Sequence, residues 1–356
     1  MKVLIIISSL NNSGGSERVS TMLANSLSIA GYEVMFASIA HSDSPFFPLN
    51  KDIKIISLSS FEKFRLLRVP NTVYKLRKLL KKEQIDTLIV VDTACVQFTL
   101  PAVLGLPVRH ICWEHFNFNS DLGSKKRRID RQLAARYSDV VVTLTERDKG
   151  YWLQGTQHKS QIVAIANPCP FPVQRYVKKE KTKIVLAVGR LVDIKGFDRL
   201  LQSWVQVAEV MPDWTLKIVG EGEDRAKLTH FIKENKLTNS VELVGVTNEV
   251  SRYYKEAEVF CLSSRFEGFP MVLLETLAFG LPVVSFDCDT GPEEILENTG
   301  SILVPQNDIN QLAYSLVNMM SNDEQRKNIS VKSKEKAEVY QPKNIISQWI
   351  DLIESL

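Results

Sequence analysis

The chain has 356 residues, 44% hydrophobic and 24% charged, with a mean hydropathy of −0.07. These values exclude a disordered, collagenous or multi-span membrane protein, and the length suits two domains. The net charge of +3 hides a cancellation. Residues 1–170 carry 22 Lys/Arg against 14 Asp/Glu (22 − 14 = +8), and residues 171–356 carry 22 against 27 (22 − 27 = −5). A basic half joined to an acidic half points to different partners for each.

The elements begin with Lys2–Ser8, a continuous apolar run of the kind that is covered on both faces in a parallel sheet. It is expected to be a buried first strand rather than a signal peptide, because its apolar core is short and no A-x-A cleavage site follows. A glycine loop leads to a helix from about Ser16, with Val19, Met22, Leu23 and Leu27 at helical spacing and Gly31 at its stop. Glu33–Ile39, Thr87–Val91, Val108–Cys112 and Asp139–Leu144 read as further strands. Pro168, Pro170 and Pro172, followed by the charged run Lys178–Lys183, read as a linker. The series then restarts with Ile184–Val188, Thr215–Val219, Val241–Val244, Val259–Leu262, Pro282–Phe286 and Ile302–Val304. A last helix, about Asn344–Leu356, sets Ile346, Trp349, Ile350 and Ile353 on one stripe.

Alternating strands and helices, repeated once, predict an α/β architecture of two Rossmann-like, doubly wound domains facing across a cleft. The expected division is 1–170, 171–340 and a C-terminal helix, 341–356, that packs back toward the first domain. Ligands in such sheets lie beyond the carboxyl ends of the strands. The five cysteines, Cys95, Cys112, Cys169, Cys261 and Cys288, are odd in number and widely spaced, with no C-x-x-C. A disulfide framework or zinc site is therefore not expected, and a reducing compartment fits. No stretch reaches the roughly 20 apolar residues of a membrane span, so a cytoplasmic protein is expected.

The strongest chemical signal is Phe266-Glu267-Gly268-Phe269-Pro270-Met271-Val272-Leu273-Leu274-Glu275. Glu267 should sit on the loop after Val259–Leu262, and Pro270 suits the first turn of a helix. The backbone amides of Phe269, Met271 and Val272 would then be free for phosphate oxygens. Glu275, one turn further in, could accept from a ribose diol. A second signal is Val188-Gly189-Arg190 with Lys195-Gly196. Cations at a strand end can clamp a diphosphate, Arg in bidentate fashion.

These two segments together resemble the signature of retaining glycosyltransferases of family 4, which have the GT-B fold. Val219-Gly220-Glu221-Gly222, Leu243-Val244-Gly245, Gly291-Pro292-Glu293-Glu294-Ile295 and Gly14-Gly15-Ser16-Glu17-Arg18 resemble further family motifs, in the right order over nearly the whole chain. The resemblance implies roles for particular residues. Arg190 and Lys195 would hold the donor diphosphate, Gly15 would bring a backbone amide to it, Glu275 would hold the ribose, and Gly245 would lie near the base. Glu267 would contact the donor sugar. Glu114-His115 resembles a family element at a strand end, with His115 beside the reacting sugar. Asp92, after Thr87–Val91, is a weaker candidate. No covalent nucleophile is identified; front-face displacement is what the resemblance implies.

No metal is expected. Asp287-Cys288-Asp289 is read as loop geometry, since a cation pair and a helix terminus already supply positive charge at the leaving group. Basic residues interleaved with apolar ones run through Phe61–Lys82, which Pro70 is expected to break, and Lys125, Lys126, Arg127, Arg128 and Arg131 form a second cluster. Both suit an anionic membrane surface or the diphosphate of a lipid-linked acceptor, and no aromatic stacking platform points to nucleic acid.

The expected function is transfer of a hexose or N-acetylhexosamine from a UDP-sugar to a polyprenyl-diphosphate-linked glycan at the inner face of the cell membrane. Two alternatives are a non-hydrolysing nucleotide-sugar epimerase of the same fold and a non-catalytic membrane-binding module. A dinucleotide dehydrogenase is disfavoured, because no G-x-G-x-x-G follows the first strand.

Overall fold

A computed structural model describes residues 1–40, 44–58, 68–121, 123–174 and 182–356. The chain divides into two compact units, Met1–Pro168 with Pro342–Leu356, and Cys169–Gln341. Residues 61–67 of the first basic segment and residues 178–181 of the charged linker lie outside the described residues.

The first unit runs β1 (Lys2–Ile7), α1 (Gly15–Ile29), β2 (Glu33–Ser38), β3 (Lys54–Ser57), α2 (Arg68–Glu83), β4 (Thr87–Val91), α3 (Val96–Val103), β5 (Arg109–Trp113), α4 (Lys125–Tyr137), β6 (Val140–Thr143), α5 (Glu146–Gly155) and β7 (Gln161–Ala164). The second runs β8 (Ile184–Val188), α6 (Phe197–Val210), β9 (Thr215–Val219), α7 (Arg225–Glu234), β10 (Val241–Gly245), α8 (Val250–Glu256), β11 (Val259–Leu262), α9 (Met271–Ala278), β12 (Val283–Phe286), α10 (Pro292–Leu296), β13 (Ile302–Val304), α11 (Ile309–Ser321) and α12 (Asp323–Val339). The last helix, α13 (Pro342–Ser355), returns to the first unit.

Each unit is built on one parallel sheet. The orders are β3-β2-β1-β4-β5-β6-β7 and β10-β9-β8-β11-β12-β13. Chain order reverses between β1 and β4, and again between β8 and β11, so each sheet has a switch point where the following loops diverge. Register is regular there: Val3–Ile6 pair with Thr87–Val90, and Val259 and Phe260 with Val185 and Leu186. Continuous apolar strands follow from burial on both faces, as in Val3–Ile7 and Leu88–Val91, all at most 2% exposed. In the second unit Val185, Ala187, Leu200, Trp204, Leu216, Ile218 and Leu316 share one core.

The structure adds detail at three points. The edge strands β3 and β7 were not anticipated; only one of their eight residues is fully buried, so no continuous apolar run marks them. Pro70 interrupts no helix among the described residues. It lies in the first turn of α2, where its missing N–H leaves no intrahelical bond unmade. The last helix runs from Pro342; its buried face adds Ile345 and Leu352 to Ile346, Trp349 and Ile353, and Ile350 is half-buried. Trp349 meets Trp113 edge to face with ring centroids 4.8 Å apart. Tyr32 Oη donates to Glu354 Oε1 at 2.8 Å, and Arg109 Nη1 donates to the Ile353 carbonyl at 2.9 Å. Burying each large apolar side chain stabilises by roughly 1.5–3 kcal/mol, so this stripe holds the helix on the first unit.

Candidate functional site

The second unit brings its two motif loops together because they leave neighbouring strands. Gly189-Arg190 follows β8, Ser263–Glu267 follows β11, and these strands flank the switch point. Lys195 closes the first loop in a short 3-10 turn, Asp193–Lys195. Its Nζ lies 2.8 Å from Glu267 Oε1. The same oxygen accepts from Ser264 Oγ at 2.6 Å. Glu267 is 8% exposed, so this buried carboxylate is held by one cation and one hydroxyl. Arg190 is exposed, and its guanidinium makes no ion pair among the described residues.

Backbone geometry explains the glycines of this site. Gly196 sits at φ +63° as the cap before α6, and a Cβ there would lie 2.1 Å from the Ser263 carbonyl oxygen. Gly220 has φ +148°, and a Cβ would lie 1.8 Å from the Gly189 carbonyl oxygen. The two loops thus touch backbone to backbone, which only glycine permits. Gly189 N donates to Val219 O and Leu191 N to Glu221 O, at 3.0 and 2.9 Å. Gly245 is tied in by the bond from Gly220 N to its carbonyl, 2.9 Å.

Helix α9 starts at Met271, with Pro270 as its cap in an extended conformation and no side-chain cap. Leu273 N donates to Pro270 O. Met271 and Val272 are half-buried at this terminus, in the position from which amides can receive an anion. Thr290 Oγ1 holds the turn from below, donating to the carbonyls of Glu267 and Gly268 at 3.1 and 3.0 Å. Phe269 is buried, with its ring 6.1 Å from that of Tyr340, so its side chain anchors the turn. Glu275 is 4% exposed, and its Oε2 accepts from Tyr254 Oη at 2.7 Å. Sequence reasoning misses Tyr254, Ser264 and Thr290; Ser263-Ser264, one residue before the Phe266–Glu275 segment, is the available sign.

In the first unit, Gly14 caps α1, and Gly15 is exposed at its first position. Glu17 folds back on this loop and accepts from Asn12 Nδ2 and Ser16 Oγ at 3.3 and 2.8 Å. His115 follows β5 and lies 4.5 Å from the Trp113 ring. Its Nε2 is shielded from solvent and has no hydrogen-bond partner among the described residues. Burial pushes this imidazole down to about 4, so it is neutral near pH 7.

The basic cluster on α4 is not one surface patch. Lys125, Lys126 and Arg128 are exposed; Lys126 pairs with Asp130, and Arg128 with Asp121. Arg131 is 1% exposed, and its Nε donates to Glu114 Oε2 at 3.1 Å. Arg127 forks onto Asp92, 3.0 Å to each oxygen, and lies over the Phe116 ring at 4.4 Å. The reason is spacing: Arg127, Arg131, Ala134 and Ala135 share the inward face of the helix. Arg131 in particular is a buried counter-charge. Glu114 Oε1 accepts the amides of His115 and Phe116 at 3.1 and 3.0 Å, and Oε2 accepts Thr93 Oγ1 at 2.7 Å. Burial and the Asp92 charge push the Glu114 carboxyl upward, while the two arginines oppose them.

Asp287 Oδ1 is buried without a hydrogen-bond partner among the described residues, and Asp289 is exposed. Among the described residues no three His, Cys, Asp or Glu side chains are grouped to hold a metal ion. Among them, too, no helix is long and apolar enough to cross a membrane.

Residues 13–170 match the family model described as Glycosyltransferase Family 4, and residues 172–336 match Glycosyl transferases group 1. The amylovoran biosynthesis glycosyltransferase AmsD of Erwinia amylovora is 31% identical, over 99% of this chain and 99% of its own. An α-1,4-N-acetyl-D-galactosaminyltransferase of Campylobacter jejuni, named for a GalNAc-containing glycan on PP-undecaprenol, is 29% identical over 99% of this chain and 98% of its own. The structure of Anabaena HepE in complex with UDP-glucose superimposes with a TM-score of 0.81 at 18% identity, covering 100% of both chains. With two parallel doubly wound sheets and motif loops at their switch points, the chain belongs to glycosyltransferase family 4 and has the GT-B fold.

Proposed function

We propose that this glycosyltransferase moves a hexose or N-acetylhexosamine, with GalNAc, Gal or Glc favoured, from a UDP-sugar to a glycan carried on polyprenyl diphosphate. The transfer retains anomeric configuration and belongs to O-antigen, capsule or lipid-linked oligosaccharide assembly. The observation that carries this reading is the Lys195–Glu267 contact of 2.8 Å beside the exposed Arg190. UDP as the nucleotude carrier is favoured by the ligand of HepE, and a polyprenyl diphosphate acceptor by the name of the Campylobacter relative.

In the reaction the bond from the sugar anomeric carbon to the diphosphate oxygen breaks, and negative charge develops on the departing UDP. Arg190, Lys195 and the amides of Met271 and Val272 receive that charge. A preorganised donor of this kind is worth about 3–4 kcal/mol in the transition state. The acceptor hydroxyl attacks the same face of the sugar and passes its proton to the departing phosphate oxygen. Glu267 accepts from donor-sugar hydroxyls through Oε2, because Oε1 already takes Lys195 and Ser264. Gly268 and Phe269 form the turn under the sugar, Gly245 lies near the base and Gly15 offers its amide to the diphosphate. Glu275 serves the ribose from its place beside Tyr254. Neutral His115 hydrogen-bonds the donor sugar or the acceptor hydroxyl. This arrangement works without a metal ion.

The acceptor reaches the protein at the inner face of the cell membrane. Exposed Lys78, Lys81 and Lys82 with Tyr74 on α2, and Lys125 and Arg128 on α4, are the residues that support a peripheral membrane contact. Each cation near an anionic surface adds about 1 kcal/mol. The test is turnover with UDP- and GDP-sugars and a synthetic polyprenyl-diphosphate glycan. Glu267→Gln and Lys195→Ala are expected to lose roughly 10²- to 10³-fold in kcat; wild-type turnover in both would end the assignment.

A further inference from the structure

Three successive carbonyls carry the 3-10 turn that presents Lys195, and all three are held by one short segment. Arg265 Nη1 donates to Asp193 O at 2.7 Å, Arg265 N to Ile194 O at 2.9 Å, and Ser263 Oγ to Lys195 O at 2.9 Å. Arg265 is itself fixed by a fork onto Asp198 in the first turn of α6, 2.8 Å to Oδ1 and 2.6 Å to Oδ2. The next residue of that helix grips back: Arg199 Nη2 donates to Ser263 O at 2.7 Å. Burial would raise the Asp198 carboxyl, but the Arg265 hydrogen bond and charge outweigh it and hold it low. A bidentate guanidinium–carboxylate pair fixes direction as well as distance.

We propose that Arg265, locked by Asp198, is a positioning residue that sets Lys195 against Glu267 and thereby tunes the grip on the donor diphosphate. The inference rests on the proposed role of Lys195. The side chain of Arg265 is 31% exposed and that of Asp198 is 23% exposed, so the clasp lies at the boundary of the core and does not build it. Its geometric effect is on the turn. Without the fork, the Asp193 carbonyl loses its Arg265 side-chain donor while the backbone bond to Ile194 O remains, and Lys195 Nζ gains room to leave Glu267. A displacement of about 1 Å at a site of this kind costs up to about 10²-fold.

The experiment measures equilibrium binding of UDP and GDP to the full chain. The wild type is compared with Arg265→Ala, Arg265→Lys, Asp198→Asn, Lys195→Ala and the double variant Arg265→Ala/Lys195→Ala. The expected result is about tenfold weaker binding in Arg265→Ala, an intermediate loss in Arg265→Lys, and a double variant no weaker than Lys195→Ala. Asp198→Asn should weaken binding in the same direction, and it carries the test if Arg265→Ala does not fold. Binding unchanged in Arg265→Ala while Lys195→Ala loses it would overturn the positioning role and leave the donor reading standing. Losses that add fully in the double variant would also overturn it, because Arg265 would then act independently of Lys195. Unchanged binding in Lys195→Ala would overturn both.

Discussion

Replacing Glu114 by Ala tests whether the charged cluster of the first unit is a buried framework. Glu114 is 1% exposed, and its two oxygens accept from the amides of His115 and Phe116, from Thr93 Oγ1 and from Arg131 Nε. The substitution leaves Arg131, also 1% exposed, as a buried cation whose remaining described bond is from Nη1 to Phe118 O. Breaking one side of a buried ion pair costs about 3–5 kcal/mol. For a unit of this size that lowers the unfolding midpoint by roughly 6–20 °C. Thermal unfolding of the full chain followed by tryptophan fluorescence reads this, since Trp113, Trp152 and Trp349 belong to the first unit, while Trp204 and Trp214 report the second. The double variant Glu114→Leu/Arg131→Met should recover at least about 2 kcal/mol, because it removes both charges. It should not recover everything, since the His115 and Phe116 amides lose their acceptor, at about 1 kcal/mol each. A Glu114→Ala protein within about 0.5 kcal/mol of wild type would refute the buried framework.

Acid should destabilise the first unit through His110. Its imidazole is 2% exposed, lies between Ser138 Oγ and Thr99 Oγ1 at 3.0 and 2.9 Å, and is pushed down to about 4 by burial. The unfolded chain takes up the proton near 6.5 and the folded chain does not, so His110 alone contributes a loss of roughly 3 kcal/mol as pH drops from about 6.5 to about 4. His110→Gln should remove this contribution from the pH dependence of thermal melts and leave those of His115, of the same sign, and of Asp148, pushed up to about 7 and opposite in sign; an unchanged slope would contradict the burial argument. Gly220→Ala should weaken UDP binding at least tenfold while the first unit melts unchanged, because its Cβ would collide with the Gly189 carbonyl at 1.8 Å; wild-type titrations would refute it. Replacing Lys78, Lys81, Lys82, Lys125 and Arg128 by Ser should cut sedimentation with anionic liposomes and leave UDP binding unchanged. Equal sedimentation would assign these side chains to a solvated surface.

Strands buried on both faces were readable as continuous apolar runs, and Thr87–Val91, Ile184–Val188, Thr215–Val219, Val259–Leu262 and Ile302–Val304 coincide with β4, β8, β9, β11 and β13. Edge strands such as Lys54–Ser57 lack that signal because one side of each faces water. The Lys195–Glu267 contact was foreseeable only as two motif loops. The strand order that makes β8 and β11 neighbours depends on topology, which residue spacing alone does not reveal. Charge was the least transparent property. Arg127 and Arg131 read as surface cations in a basic run, yet they stand one turn apart on the face that Ala134 and Ala135 continue. Their acidic partners, Asp92 and Glu114, come from the ends of β4 and β5, far away in the chain. The positioning role of Arg265 was equally hidden, since its partner Asp198 lies 67 residues before it.

Retaining transfer from a UDP-sugar is read by incubating the purified chain with individual UDP-sugars and a polyprenyl-diphosphate-linked glycan. Released UDP and the anomeric configuration of the product are followed by NMR. One UDP-sugar should be consumed without added metal, the new linkage should keep the donor's configuration, and Lys195→Ala should lose at least about 10²-fold in rate. Inversion at the anomeric carbon, or turnover in Lys195→Ala equal to wild type, would contradict it.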